Sequence, residues 1–477
     1  MSLRRRWLIA FCLASLSPFF VQPMPASADP SVVVVSPSGS DTNAGTVAAP
    51  LRTIQVAVRR VAHGGIVELR GGRYAQRVRL IGVHDVTIQP FAAEHPVLDG
   101  SRLNPPIGRS AMVEIADSVG VTVRGLEVTG YRTTTLNATP VGIYVHGGGS
   151  RIRIVGNHVH HLGNDNTTLG SFDIDAHGIA VYGDSPRTSI SDLSIDGNEV
   201  DHLHLGASES VVVNGNVDGW TIARNRIHDN DNIGIDAIGF ESTLSGADRY
   251  TWRNRARNGR IVDNVVARIQ SRGNPAYWEG TVGGVAQWCN CADGIYVDGG
   301  THIVVAGNRV AGNDIGIEVA AENGRGSADH VIVADNRTTG SLYTGIATGG
   351  YCNGRADCGG VLTGTSHDNT FANNWLRGNN QLDDGSPEIL VQYFTSNDVF
   401  TGNTVIATNS AHTVYGTVPG GGSTGNISNA NDFRVVGPPG ASAEFGWSGT
   451  VYSSFGAYRS ATGQDAASTY RSRPGPG

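Results

Sequence analysis

The sequence predicts an all-β solenoid, a stack of short strands wound into coils. Three observations carry this: a recurring Gly-Ile motif, a turn asparagine in phase with it, and a composition unsuited to long helices. The chain has 477 residues with 65 glycines, 19 prolines and only 16% charged residues. Amphipathic helices need charged residues on their outer faces, and these are scarce here. The glycines follow no Gly-X-Y period, which excludes collagen.

The first motif reads Gly142-Ile143-Tyr144-Val145, Gly178-Ile179-Ala180-Val181, Gly234-Ile235-Asp236-Ala237, Gly294-Ile295-Tyr296-Val297, Gly316-Ile317-Glu318-Val319 and Gly345-Ile346-Ala347-Thr348. The second places an aliphatic residue two positions after asparagine, as in Asn157-His158-Val159, Asn198-Glu199-Val200, Asn225-Arg226-Ile227, Asn264-Val265-Val266, Asn308-Arg309-Val310 and Asn403-Thr404-Val405. A spacing as short as that from Gly294 to Gly316, with apolar residues at every second position, fits strands that bury one face only by stacking on the next coil. The asparagines fit an internal ladder at one bend. An antiparallel β-sandwich would explain the strands but not the in-phase asparagines.

The ends of a solenoid need covering. Residues 53–61 read as a short N-terminal capping helix with Thr53 as its N-cap. The expected organisation is a signal peptide over 1–28, a solenoid over 29–435 with a long loop insertion at about 242–292, and a C-terminal tail or cap over 436–477.

Arg4, Arg5 and Arg6, an apolar stretch from Trp7 to Val21, and Ala26-Ser27-Ala28 form a secretory signal pattern. The expected location is therefore extracellular, with no membrane association once the signal is removed. Cleavage after residue 28 removes three arginines and takes the formal charge from −7 to −10. An acidic chain lacks the concentrated basic face that phosphate contacts need, so nucleic acid is not an expected partner. A monomer is expected. Cys289, Cys291, Cys352 and Cys358 remain for disulfides, with three pairings open. The spacing of Cys289 and Cys291 does not suit a zinc knuckle.

The opening Val32-Val33-Val34-Val35-Ser36-Pro37-Ser38-Gly39-Ser40-Asp41, with Ile66-Val67-Glu68-Leu69 and Gly71-Gly72-Arg73-Tyr74, resembles the start of secreted right-handed parallel β-helix proteins of the pectate-lyase-like superfamily. Phe455-Gly456-Ala457-Tyr458 and Gly463-Gln464-Asp465 are similar to the tails of such proteins. The resemblance covers most of 30–435 and implies that fold. It implies carbohydrate-directed activity less specifically, because the superfamily holds lyases, glycosidases, epimerases, esterases and non-catalytic tailspike-like proteins.

Aligning coils on Gly-Ile puts Tyr144, Ala180, Val212, Asp236, Tyr296 and Glu318 in one outward column. His146, Tyr182, Asn214, Ile238, Asp298 and Ala320 fall in the next. Acidic residues concentrate there: Asp229, Asp231, Asp236, Glu241, Asp293, Asp298, Glu318 and Glu322. Coil and residue spacings separate Asp236 from Asp298, and Asp298 from Glu318, by roughly 8 Å at the backbone, and Asp236 from Glu318 by roughly 9.6 Å. Inverting glycosidases hold their two carboxyls about 6.5–9.5 Å apart. Crowded carboxyls keep one another protonated, as a general acid requires. Asp236, Asp298, Glu318 and then Asp293 are the candidate catalytic residues for hydrolysis of a poly- or oligosaccharide. An acidic surface or a calcium site is the alternative use of the same residues.

Trp252, Tyr277, Trp278, Trp288 and Tyr296 supply aromatic faces for sugar rings. Arg253 and Arg257 supply forks for carboxylates. A second reading is a polysaccharide lyase. Some families of the superfamily use lysine as the base, often with calcium held by aspartates, and the stretch from Ala292 to Asp298 is similar to such acidic segments. All 35 basic residues here are arginine, so that lysine is absent. Arg268, Arg309 or His228 would have to serve instead. A third reading is a non-catalytic glycan-binding solenoid. His160, His161, Asp201, His202, His228 and Asp229 form a further column, near Asp173, Asp175 and His177, that suits either a structural ladder or a metal.

Overall fold

The computed structural model describes residues 31–354, 360–437 and 442–474. The signal-like segment and Cys358 lie outside them. Each central coil contributes three strands. Asp293–Asp298 lies on the first wall, Thr301–Ala306 on the second and Arg309–Ala311 on the third, and each pairs in parallel with its counterpart in the next coil. The molecule is a parallel β-helix. Its interior columns are aliphatic: Ile143, Ile179, Val211, Ile235, Ile295, Ile317, Ile346 and Ile389 stack on the first wall and are fully buried. Burying each such side chain contributes about 1.5–3 kcal/mol, which no isolated coil could gain.

The Gly-Ile motif has a steric cause. A Cβ on Gly234 would come within 2.5 Å of the Gly294 carbonyl oxygen, and one on Gly294 within 2.8 Å of the Gly316 carbonyl oxygen. The chain enters the wall at this point too close to the next coil for any side chain.

The asparagines form one buried ladder through Asn157, Asn198, Asn225, Asn264, Asn308, Asn336, Asn374, Asn403 and Asn431. Asn225 shows the repeating unit: its backbone N–H and Nδ2 both donate to Asn264 Oδ1, at 2.9 and 3.0 Å, and Nδ2 also donates to the Ile195 carbonyl. Asn264 makes the same bonds to Asn308 and to the Ile222 carbonyl. The last rung, Asn431, donates to Ser468 and Asp465.

The N-terminal helix is Ile54–Arg60, packed on the first coils. Thr53 sits at its N-cap position, yet its hydroxyl makes no cap. Thr53 Oγ1 donates instead to Asp41 Oδ2 at 2.9 Å, and Gln76 Oε1 accepts the Ile54 N–H.

Two boundaries read from the sequence are corrected. The single insertion at 242–292 does not exist, because the coil strands Arg257–Val262 and Val265–Ile269 run through its middle. Asn264 already marks a ladder rung there. Two separate loops remain, 242–256 and 270–292, and the second carries the antiparallel hairpin Trp278–Val282 with Val285–Trp288. The described residues of the tail expected at 436–477 also belong to the coil stack. The boundary at 435 cuts the strand Asp432–Gly437, which pairs in parallel with Thr469–Pro474, while Glu444–Trp447 continues the wall of Thr413–Thr417. Helix Phe455–Thr462 closes this end over an aromatic cluster of Phe433, Phe445 and Tyr458.

Candidate functional site

The strand register joins Val212 to Asp236, Asp236 to Tyr296, and Tyr296 to Glu318 in one outward column. Asp298 stands two residues beyond Tyr296, paired with Ala320, and Asp293 opens the same strand opposite Ile315. Side chains from neighbouring positions join this wall: Glu209 from the preceding coil, Glu241 and Glu322 from the loops that leave it, and His177. Asp236, Asp293, Asp298, Tyr296 and Glu318 are all buried.

A cavity of about 780 Å³ opens over the downstream part of the wall. Asp293, Glu318 and Glu322 reach it, with Tyr296 on the floor and Phe172, Tyr277 and Trp278 on one side. Phe172 meets Tyr277 edge-on at 5.8 Å between centroids, which fixes both rings. The disulfide between Cys289 and Cys291 ties the end of the hairpin beside them. Cys352 is also disulfide-bonded.

The electrostatics follow from burial among like charges. Burial first, then Glu322, pushes the Glu318 carboxyl up to about 8; burial, then Glu241 and Glu209, pushes Glu322 up to about 7. Burial is also the main cause that raises Asp236, Asp293 and Asp298 well above the ordinary carboxylate range, with Glu209, Glu318 and Glu322 their respective strongest charged neighbours. The hydrogen bond between Asp293 and Glu318 raises Asp293 and lowers Glu318, so Asp293 is the donating, protonated partner, while burial and the Glu322 charge keep Glu318 raised overall. Glu318 Oε1 also accepts from Gln392 Nε2 at 3.0 Å, and Asp298 Oδ1 accepts the Glu322 N–H at 2.7 Å.

Among the described residues four buried carboxylate oxygens have no hydrogen-bond donor, Glu209 Oε2, Asp236 Oδ1, Asp293 Oδ1 and Asp314 Oδ1, and the first three belong to this wall. His177 Nδ1 approaches Glu209 Oε2 at 3.2 Å without hydrogen-bond alignment. Orphaned carboxylate oxygens converging on one wall are the donor type that a hard cation such as calcium takes.

These raised values have a consequence for stability. A carboxyl whose folded-state value exceeds its unfolded one contributes stability at low pH that is lost as pH rises through the folded value. For Glu318, Glu322 and the buried Glu388, also raised to about 8, that loss runs from roughly pH 4.5 to 8. Thermal unfolding is expected to show a higher midpoint at pH 5 than at pH 8.5, and Glu388→Gln is expected to flatten the difference.

The structure brings Asp293, Glu318, Tyr277, Trp278 and Tyr296 to the cavity. Asp236 and Asp298 stand on the same wall but do not line it, and Trp288 faces Trp278 across the hairpin outside the lining. Trp252, Arg253 and Arg257 belong to the other loop. Trp252 is 61% exposed, with both guanidinium groups within 5.1 Å of its ring. Arg257 is a brace: it donates to Asn216 Oδ1 at 2.9 Å and to the Arg253 and Arg255 carbonyls, and pairs with Asp218. Sequence reasoning passed over Glu209 and Gln392, placed His177 beside the histidine column instead of on this wall, and left Glu322 among the acidic residues without a role. Glu322 could have been found from its place four residues beyond Glu318; Gln392, which lies 74 residues from Glu318, carries no such signal.

No protein-family model matches the chain. It is 34% identical over 440 residues to the uncharacterized protein YwoF of Bacillus subtilis, covering 91% of this chain and 86% of that protein. The chain belongs to the YwoF family. This YwoF-family protein is also 30% identical to pectate lyase PEL9 of Emericella nidulans over 119 residues, which is 24% of this chain and 29% of that enzyme. Its fold matches the A-module of the Azotobacter vinelandii mannuronan C-5 epimerase AlgE4 with a TM-score of 0.50 at 14% identity, over 91% of this chain and 96% of that one. The YwoF-family chain thus has the parallel β-helix of the pectate-lyase-like superfamily.

Proposed function

We propose that this protein is an exported glycoside hydrolase acting on a poly- or oligosaccharide, with Glu318 as general acid. The observation that carries the proposal is the set of raised carboxyls, Asp293, Glu318 and Glu322, that line one cavity with Tyr277 and Trp278. Glycoside hydrolysis requires a carboxyl kept protonated near neutral pH beside one that ionises. Glu318, raised to about 8, fits the first role, and Glu322, raised to about 7, fits the second as the base that activates water. Glu318 donates its proton to the glycosidic oxygen as the bond to the anomeric carbon breaks. Glu322 takes a proton from the water that forms the new bond there. Asp293 hydrogen-bonds and positions the acid, and burial together with the charge of Glu322 keeps the proton on Glu318. Tyr277 and Trp278 offer faces on which a sugar ring can stack.

Among the described residues no arginine or histidine lines the cavity. A uronate carboxylate would meet carboxyl groups there, which favours a neutral glycan. The identity shared with PEL9 favours β-elimination on a uronate polymer as the second reading. Calcium held by Glu209, Asp236 and Asp298 would supply the positive charge for a uronate in that case. The protein with its N-terminal segment removed should be screened against neutral and uronate glycans, with chelator and with added calcium. New reducing ends without ultraviolet-absorbing unsaturated uronates support hydrolysis, whereas the absorbing product would replace it with elimination.

The pH dependence follows from the two assignments. The acid must be protonated and the base ionised, so the rate is expected to rise through about pH 7 and fall through about pH 8, a narrow bell. A profile flat from pH 5 to 9 would remove this pair from the mechanism.

A further inference from the structure

Outside this wall, the third-wall turns carry a histidine cluster with a different chemistry. His161 and His202 occupy the same turn of successive coils, joined through the His161 N–H and the Asp201 carbonyl, and their rings stack at 4.9 Å with planes 7° apart. Asp201 lies beneath them, buried. Its Oδ1 is 2.5 Å from His202 Nδ1, and its Oδ2 is 2.7 Å from His158 Nε2. One donor atom from each of His161, Asp201 and His202 lies within 4.8 Å of the others.

We propose that His161, Asp201 and His202 form a binding site for a borderline divalent transition-metal ion of the zinc class. Two imidazoles and one carboxylate are a donor set for such ions, and three protein ligands leave a fourth position open. Metal–ligand bonds of about 2.0–2.2 Å require the donors to close in slightly. The two rings are exposed, so rotation about their side-chain bonds provides this, while the buried carboxylate stays fixed. His158 orients that carboxylate from behind, the kind of outer support that metal ligands need. The open position faces a groove of about 760 Å³ that His161 and His202 line together with Arg268 and Arg272.

The same chain contains a control. His302 and His330 stack in the same manner, at 4.7 Å and 4°, beside Asp329. There the carboxylate is already neutralised: Arg255 Nη2 donates to Asp329 Oδ2 at 2.6 Å, and Thr301 and Ser327 hydroxyls also donate to it. A cation at that cluster would have to displace or tolerate a buried guanidinium, whereas among the described residues the side-chain partners of Asp201 are the imidazoles of His158 and His202, with no arginine.

The test is calorimetric titration of tag-free, chelator-treated protein with zinc chloride at pH 7.5. One saturable site is expected, weakened at least ten-fold in His161→Ala and in His202→Ala and unchanged in His330→Ala. His161 is exposed, so its variant should keep the parent melting temperature. Absence of saturable zinc binding would overturn the proposal. So would equal affinity in the His161→Ala, His202→Ala double variant, which would place the zinc on other residues, or a loss in His330→Ala.

Discussion

Replacing Glu318 with glutamine is expected to lower kcat by about 10²–10⁴-fold on the glycan the screen identifies, the contribution usual for a positioned acid. The amide keeps the shape of the carboxyl and its contact to Gln392, but has no transferable proton. Glu322→Gln is expected to fall as far. Asp236→Asn, on the same wall but outside the cavity lining, is expected to lose less than ten-fold. A structural role would predict the opposite pattern of stability. Removing a buried carboxyl that is held protonated at some cost should leave the melting temperature at pH 8 unchanged or higher. Activity within three-fold of the parent in Glu318→Gln would end the assignment of this acid.

Replacing Asn264 with alanine is expected to destabilise the molecule by about 3 kcal/mol or more, because each buried polar group left unpaired costs about 1–3 kcal/mol. The change strips Asn225 of the acceptor for two of its donors and takes the side-chain donor from the Ile222 carbonyl, while the backbone N–H at 264 still donates to Asn308 Oδ1. Arg226→Ala on the neighbouring surface, which loses only an exposed pair with Glu199 at 3.3 Å, should stay within about 0.5 kcal/mol. Urea midpoints measure both. Because long stacked arrays can unfold in parts, hydrogen exchange at the central rungs shows whether the loss is local or global. A change below 1 kcal/mol for Asn264→Ala would mean the ladder is ornamental to stability.

Much of the architecture was legible because a coil stack writes its contacts into the sequence at nearly constant intervals. The Gly-Ile motif encodes a close approach between coils, the asparagines encode a ladder, and both can be counted without knowing the fold. The same counting placed Asp236, Tyr296 and Glu318 in one column. It failed at 242–292, where polar strand faces and two long loops disguised an ordinary coil. It failed again beyond 435, where the final strands follow no Gly-Ile signal.

The amino-acid order by itself therefore determined the repeating wall and which side chains point away from the core, since both depend on neighbours a fixed number of residues along the chain. Only the tertiary structure decided which of those outward acids meet a cavity. That depends on where the loops at 242–256 and 270–292 fold back, and loop paths obey no repeat. It also decided that Arg257 is a brace and that Gln392 reaches Glu318. Contacts between residues far apart in the chain come from the winding of the whole coil, which no local pattern specifies.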